Sequence, residues 1–463
     1  MGAGLVVARR DQRAGARVVV TKKRVALSAG ALTMVALCFS NALQQGIDQS
    51  QSQAIESLKA YFHVSDFQIG LMRVATGPAG AAGALLIARL CRRRARTRVL
   101  SGMFVTWSFF MLLTGFVGVF PLFVLFRAMT APTEATDPAA LPLLADWWPT
   151  EQRAAKVSIF QAGAGVGAIF GIVGSGVLVD RYGWQAAFWM WVPIGLIGAL
   201  LIRSQREPER GNQDIAFRDT LAELEGDALV AHEDTALAEP RAAERTGLDA
   251  WREVFALRTW RRAAIGIGVT QIFLTGLTVW GPSYFKRTFH LTGTDVAGLT
   301  PLIGAGAFVG LVAGGFLADR MLRRGVLLAR VHVTVWSNAI GGIVLATALL
   351  TTRLWVAVPL LFLGTAFTAL PAGPSYAMLL DVTPVALRER AAGISNVVMA
   401  VSLLGSPLVG GLSTLFNDNL RVALLCVTPL YLVGAALTAM CFRTYGDDLA
   451  MVVAEAEADV GRL

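Results

Sequence analysis

Charge is what this 463-residue sequence has least of. Asp, Glu, Lys and Arg together make up 16%, where a soluble domain carries about a quarter. The charges crowd into short runs between long apolar stretches, hydrophobic residues reach 55%, and the mean hydropathy is +0.57. That pattern excludes a soluble enzyme and a disordered chain. Cysteine is also scarce. Cys38, Cys91, Cys426 and Cys441 have no metal-ligand spacing, which excludes a disulfide scaffold and predicts free thiols. The four histidines, His63, His232, His290 and His332, stand alone. No phosphate-cradling loop with a following Lys-Ser/Thr occurs, which excludes an ATP-driven pump. There is no small-residue cleavage site, and the N-terminal arginines run well ahead of the first apolar stretch, so no signal peptide is predicted. The formal charge of +9 would suggest nucleic acid in a soluble protein. In a chain this apolar it reads as loop charge that orients helices, and no nucleic-acid partner is expected.

A helix crossing a bilayer needs about 20 mainly apolar residues. Such stretches fall near 26–50, 68–90, 99–119, 122–145, 157–179 and 185–203. After a polar interval they recur near 263–285, 296–318, 328–351, 354–378, 392–416 and 421–442. The predicted fold class is an all-α polytopic membrane protein with twelve transmembrane helices in two six-helix bundles, 25–203 and 261–443. Residues 1–24 and 444–463 are predicted as cytoplasmic tails, the latter solvated. Residues 204–260 read as a charged cytoplasmic linker with an amphipathic helix around 214–226. Lys and Arg concentrate in the even-numbered loops and the N-terminal tail, which places both termini in the cytoplasm. The loop after the seventh span, with Lys286 and Arg287, breaks that pattern.

The sequence repeats itself. Asp146-Trp-Trp-Pro149-Thr-Glu-Gln-Arg153 follows the fourth span and Asp381-Val-Thr-Pro384-Val-Ala-Leu-Arg388 follows the tenth. Both read Asp-x-x-Pro-x-x-x-Arg, at an offset of 235 residues. Residues 88–96 and 315–323, after spans two and eight, form a second pair at an offset of 227. Two parallel halves with a site between them are a known transporter plan.

The segment Gly315-Phe-Leu317-Ala-Asp319-Arg320-Met-Leu-Arg323-Arg324 resembles the loop motif of the major facilitator superfamily, Gly-x-Leu-x-Asp-Arg-x-x-Arg-Arg. The resemblance covers nearly the whole chain. It implies the twelve-helix fold, alternating access and a conformational latch formed by Gly315, Asp319, Arg320, Arg323 and Arg324. Physically, an acid at a helix end can cap a neighbouring helix N-terminus; the alternative is a cluster that only sets topology. In the first-half copy Arg92 stands where the aspartate belongs. Within the superfamily, Phe62-His-Val-Ser-Asp66-Phe-Gln-Ile-Gly-Leu71, the Arg127 to Glu134-Ala135 spacing and Gly405-Ser-Pro407-Leu-Val-Gly-Gly411 resemble the spinster-like branch. That branch implies a lysolipid or related amphipathic substrate moved with protons. Trp147-Trp-Pro-Thr-Glu-Gln-Arg153 and Gly183-Trp-Gln-Ala-Ala-Phe-Trp189 are similar to the organic anion–cation symporters.

Ionisable residues inside a span are costly and by default mark a substrate or proton pathway. Arg127 and Glu134 are seven residues apart on the fourth span, so they share a face about 10.5 Å apart in rise. Asp137 lies one turn beyond. These acids suit loading and release of a proton; the alternative is a structural ion pair. Pro132 and Pro138 would loosen this helix and free carbonyls. The first span ends in a polar stripe that includes Gln45, Asp48 and Gln49. Asp48-Gln49 is similar to an Asp-Arg pair of spinster-like proteins, with Gln49 in place of the arginine. The stripe reads equally as a pathway or as helix already outside the membrane. Gln271, Asn338 and Tyr376 are further pathway candidates, each also explicable as a helix-packing hydrogen bond. Gly163, Gly167 and Gly171 read as close helix packing.

These features predict a secondary active transporter, not an enzyme. It moves an amphipathic or anionic small molecule, lysolipid-like in the first instance, and uses no cofactor beyond a proton gradient. The alternatives are an organic acid/proton symporter or a multidrug efflux transporter, the latter disfavoured by the absence of a Gly-Pro element in span five. A membrane receptor is the alternative of another class, disfavoured by the repeat and the intramembrane charges. The expected partners are a small-molecule or lipid substrate and the bilayer, with the protein a monomer.

Overall fold

The computed structural model describes residues 4–134, 136–148, 150–208, 247–384 and 387–460, and all regular structure among them is helical. Nine segments are long and apolar enough to cross a membrane: Arg96–Thr114, Ala162–Tyr182, Trp184–Arg203, Arg258–Phe289, Gly293–Arg323, Ala329–Leu350, Leu354–Asp381, Val397–Leu415 and Leu420–Arg443. They correspond to spans three and five to twelve. Span one lies within the helix Gly4–Phe62 and span two is Asp66–Arg93. Span four is divided between Phe120–Glu134 and Asp137–Trp147. Spans one, two and four each include residues whose side chains lie outside those described. Spans one and four are also the ones that hold Asp48, Arg127, Glu134 and Asp137.

The break in span four follows from its prolines. Pro132 removes a backbone donor inside the first piece, and Pro138 stands at the start of the second. Span ten is interrupted at the equivalent place. Leu354–Ala369 ends there, and Ala372–Asp381 begins after Pro371. Thr136 and Pro371 are 235 positions apart, the offset of the Asp-x-x-Pro repeat.

Small residues set the packing distances. A Cβ on Gly163, Gly167 or Gly171 of span five would lie 2.4, 1.9 and 2.2 Å from the carbonyl oxygens of Cys38, Ala42 and Gly46 on span one. The backbones therefore touch, as the every-fourth-residue spacing predicts.

Contacts among Cα atoms divide the chain into two units. One takes the described residues up to Asp48, Pro78–Gly171 and those from Phe188 to the end of span six. The other takes Gln49–Gly77, Ile172–Ala187 and the described residues from Gly247 on. The amphipathic helix predicted at 214–226 lies outside the described residues. The end of the linker forms a helix, Gly247–Ala256, whose Val254 is buried with Trp260, Met378 and Cys441. The C-terminal tail corrects an expectation. It is the helix Tyr445–Val460, and its first turn is not solvated, because Tyr445 and Asp448 are buried. The hydrogen bonds described below explain why. None of the four cysteines is in a disulfide.

Candidate functional site

Span four presents its arginine and glutamate on one face, as their spacing predicts. The Arg127 guanidinium is 5% exposed and the Glu134 carboxylate 18%. Nη1 of Arg127 donates to Glu134 Oε1 at 3.2 Å and to the Thr130 hydroxyl at 2.9 Å. Trp107 of span three donates its indole N–H to the same Glu134 oxygen at 3.4 Å. Glu134 is the last residue before the helix break, so it sits where helix carbonyls lose their usual partners. Close approach from span two walls this region, since a Cβ on Gly83 would lie 2.2 Å from the Pro132 Cα.

The other predicted pathway residues are dispersed. Asp137 opens the second piece of span four, and its side chain lies outside the described residues. Gln45, Asp48 and Gln49 are half-buried, within a helix that runs on to Phe62. Asn338 is buried and accepts a 2.8 Å bond from the Tyr431 hydroxyl, the helix-packing role. Gln271 is half-buried, and Tyr376 is 65% exposed. Gly315, Asp319, Arg320, Arg323 and Arg324 lie at the end of span eight. Asp319 is exposed and makes no hydrogen bond or ion pair among the described residues.

In each half, the repeat aspartate meets an arginine that opens the span after an arginine-rich loop. In the first half Arg96, opening span three, places Nη2 2.6 Å from Asp146 and Nε 2.9 Å from Glu207, just after span six. Glu207 also accepts from the backbone N–H groups of Arg96 and Thr97, capping span three from the segment after span six. In the second half Arg330, opening span nine, pairs with Asp381, which also accepts from the Tyr445 hydroxyl. Asp448 of the tail accepts from the Thr259 N–H at 2.7 Å and caps span seven. Arg96 and Arg330 are 234 positions apart and the aspartates 235, so the two clasps are copies of one design. The second acid of the first clasp, Glu207, is replaced in the second by a tyrosine.

The other ends of the spans are held differently. Arg287, at the end of span seven, donates to both oxygens of Asp66 at 2.6 and 2.8 Å and to Glu56 at 2.8 Å. Lys59 lies 2.9 Å from Asp66, and Ser413 donates to it at 2.6 Å. Lys286 donates to the Gln53 carbonyl at 2.8 Å. Asp180, ending span five, accepts from the backbone N–H of Gly293 and of Thr294 at 3.2 and 2.7 Å, capping span eight. Thr414, ending span eleven, accepts from the N–H of Phe67 at 3.2 Å at the start of span two. Asp180 and Thr414 are 234 positions apart, and Phe67 and Thr294 are 227 apart. These two caps also repeat one design, one charged and one neutral.

Residues 36–402 match the family model described as Major Facilitator Superfamily. The chain belongs to the major facilitator superfamily. It is a membrane transporter of that fold and not an enzyme. Among its relatives is a probable galactarate/D-glucarate transporter, GudP, of Bacillus subtilis (strain 168). It is 23% identical over 332 residues, 66% of this chain and 68% of that protein. A D-galactonate transporter of Escherichia coli O6:H1 is 23% identical over 347 residues, 71% of this chain and 76% of that protein. In fold the chain is similar to a bacterial homologue of the human lysosomal transporter Spinster, solved in an inward-facing and unoccupied conformation. The TM-score is 0.72 at 19% identity, covering 91% of this chain and 98% of that one.

For a facilitator of this kind, two groups of residues escaped the sequence reading. One is the clasp pair, Arg96 with Asp146 and Arg330 with Asp381. The repeat drew attention to the aspartates, but their partners lie 50 and 51 residues upstream and carry no local pattern. The other is Arg287 with Glu56 and Asp66. Here a signal was available. Lys286 and Arg287 stood out against the loop-charge rule, and the structure gives them acidic and carbonyl partners instead of a topogenic role.

Proposed function

We propose that this protein is a proton-coupled carrier of a small organic anion that works by alternating access, with the substrate and proton pathway passing Arg127 and Glu134. The carrying observation is the buried Arg127–Glu134 pair beside the break in span four. A guanidinium has five donors, and a planar fork matches a carboxylate. While Glu134 is ionised it occupies part of that fork. A proton on Glu134 removes the competing charge and leaves Arg127 available to a substrate carboxylate, so anion and proton load together. Discontinuous spans are where carriers place substrate groups, because the break exposes backbone partners inside the protein. The sugar-acid and muconate transporters among the relatives support an anionic substrate. Gln45, Asp48, Gln49 and Asp137 are the further pathway residues of this reading. The loop charges support cytoplasmic termini in a cell membrane, and Asp319 with its arginines is proposed as a latch for a second conformation.

A lysolipid is the second reading, supported by the spinster-like segment Phe62–Leu71. Counterflow in proteoliposomes tests both. Labelled galactarate, galactonate and muconate should exchange, and lysophospholipid should not. Glu134→Gln should abolish accumulation driven by a pH gradient and retain exchange. Exchange of lysophospholipid alone overturns the anion reading, and undiminished gradient-driven accumulation by Glu134→Gln overturns the coupling role.

A further inference from the structure

We infer that an anionic diacyl phospholipid of the surrounding bilayer is a resident ligand, with one acyl chain in a groove between spans eight, nine and ten and its headgroup on Arg320 and Arg324. The groove encloses about 310 Å³ and is lined mainly by apolar side chains, among them Leu317, Met321, Trp336, Phe367 and Leu370. Its polar members offer little to a polar solute. The Ser337 hydroxyl already donates to the Val333 carbonyl at 2.5 Å, and the His332 ring packs 4.7 Å from that of Phe442. The lining therefore suits an apolar occupant, and in a membrane-spanning protein the abundant one is an acyl chain.

The charge at the groove's end selects the lipid. Leu317, Met321 and Arg324 follow one another at i, i+4 and i+7, so Arg324 continues the groove-lining face by one turn, and Arg320 stands beside it at i+3 from Leu317. Arg320, Arg323 and Arg324 are all exposed and make no hydrogen bond or ion pair among the described residues. The acid in this stretch is Asp319, so 319–324 carries a net charge of +2. Exposed arginines at the end of an apolar groove match a phosphate above an acyl chain, since basic sites between spans take anionic headgroups. Trp336, 60% exposed, stands two turns inside span nine, where its ring offers an apolar wall to an acyl chain. This inference stands on the membrane fold alone and holds whether the transported solute is a sugar acid or not.

The test is native mass spectrometry of the full chain, purified from nanodiscs holding equal phosphatidylglycerol and phosphatidylcholine. The parent should retain phosphatidylglycerol selectively. Arg320→Gln/Arg324→Gln should lower that selectivity by roughly thirtyfold, the order expected of two basic residues at a membrane surface. The charge-matched pair Arg89→Gln/Arg93→Gln on span two should leave it intact. Met321→Trp, which fills the groove, should abolish retention, with unchanged melting in phosphatidylcholine showing that it folds. Equal retention of both lipids by the parent overturns the proposal, as does an equal loss in the span-two control or full retention by Met321→Trp. Displacement of phosphatidylglycerol by a lysophospholipid that is itself transported also overturns it, because the groove is then part of the substrate route.

Discussion

At the end with the arginine-rich loops, ion pairs close within each half of the sequence: Arg96 with Asp146 and Glu207, Arg330 with Asp381. At the opposite end they join the halves: Arg287 of span seven holds Glu56 and Asp66 of spans one and two, and Asp180 of span five caps span eight. The difference separates two jobs. A clasp inside one half can stay closed through a transport cycle and keep its helices in register. In the alternating-access cycle proposed above, a contact that joins the two sequence halves is one that would open as substrate passes. The same chemistry, an acid on a helix N-terminus or an arginine, would under that proposal serve as a fastening in one place and as a gate in the other.

The sharpest way to break this comparison is to open the gate alone. Arg287→Gln leaves the fully buried Asp66 carboxylate with Lys59 and Ser413 but without its bidentate partner. Stranding one member of a buried pair costs about 3–5 kcal/mol, an upper bound here because Lys59 still pairs with Asp66. We expect a melting temperature several degrees lower and a population shifted toward opening at that end, read by spin-label distances between residues 57 and 288. Adding Asp66→Asn should recover much of the loss. A shift of equal size in the same distance from Arg96→Gln would erase the distinction between fastening and gate.

A smaller effect is expected within the fastenings, where the halves differ in chemistry. Glu207→Gln removes charge-assisted bonds to Arg96 and Thr97, worth about 1.5–3 kcal/mol, whereas Tyr445→Phe removes one hydroxyl donor, worth about 1 kcal/mol. The pH response should differ too. Burial tends to raise the Glu207 carboxyl, but the Thr97 N–H and the Arg96 side chain outweigh it and hold the group below the usual range. A carboxyl depressed in the folded state stabilises fully above its unfolded value of about 4.3, and the contribution is lost as pH falls through the folded value. Thermal melts from pH 6 to pH 3 should show a decline that Glu207→Gln flattens and Tyr445→Phe does not. Burial and the Asp381 acceptor push the Tyr445 hydroxyl up, away from this window.

The smallest effect sharpens the comparison inside the gate itself. Asp180→Asn keeps an acceptor but loses the charge that favours a helix N-terminus, and Thr414→Val loses a neutral cap. Each should cost about 0.5–1 kcal/mol. Only the Asp180 variant should lose its effect in high salt, measured as the difference in melting temperature between 0.05 and 1 M NaCl. Equal salt sensitivity of the two variants would show that charge is not what distinguishes them.

Much of this organisation was legible in the sequence. Span-length hydropathy located the helices, and the Asp-x-x-Pro repeat predicted equivalent halves, which the paired clasps and caps now display residue by residue. Pro132 and Pro138 announced the break beside Glu134, and the seven-residue spacing put Arg127 on the same face. What stayed hidden depends on contacts between distant segments. Arg287 and Asp66 are 221 residues apart, and no periodicity links them. The burial of Tyr445 and Asp448 was masked by the acidic composition of the tail, which resembles a solvated one until Thr259 and Asp381 supply partners.

The shared break in spans four and ten also dates the parts of this molecule. A feature present at one offset in both halves is most simply inherited from the six-helix ancestor that was duplicated. The chemistry set beside it is not shared: the positions equivalent to Arg127 and Glu134, 235 residues on, are Phe362 and Ala369. The duplication supplied two jointed helices, and divergence left only one of them ionisable. An even-handed scaffold thereby came to hold an ionisable pair on one jointed span and apolar residues at the equivalent positions of the other.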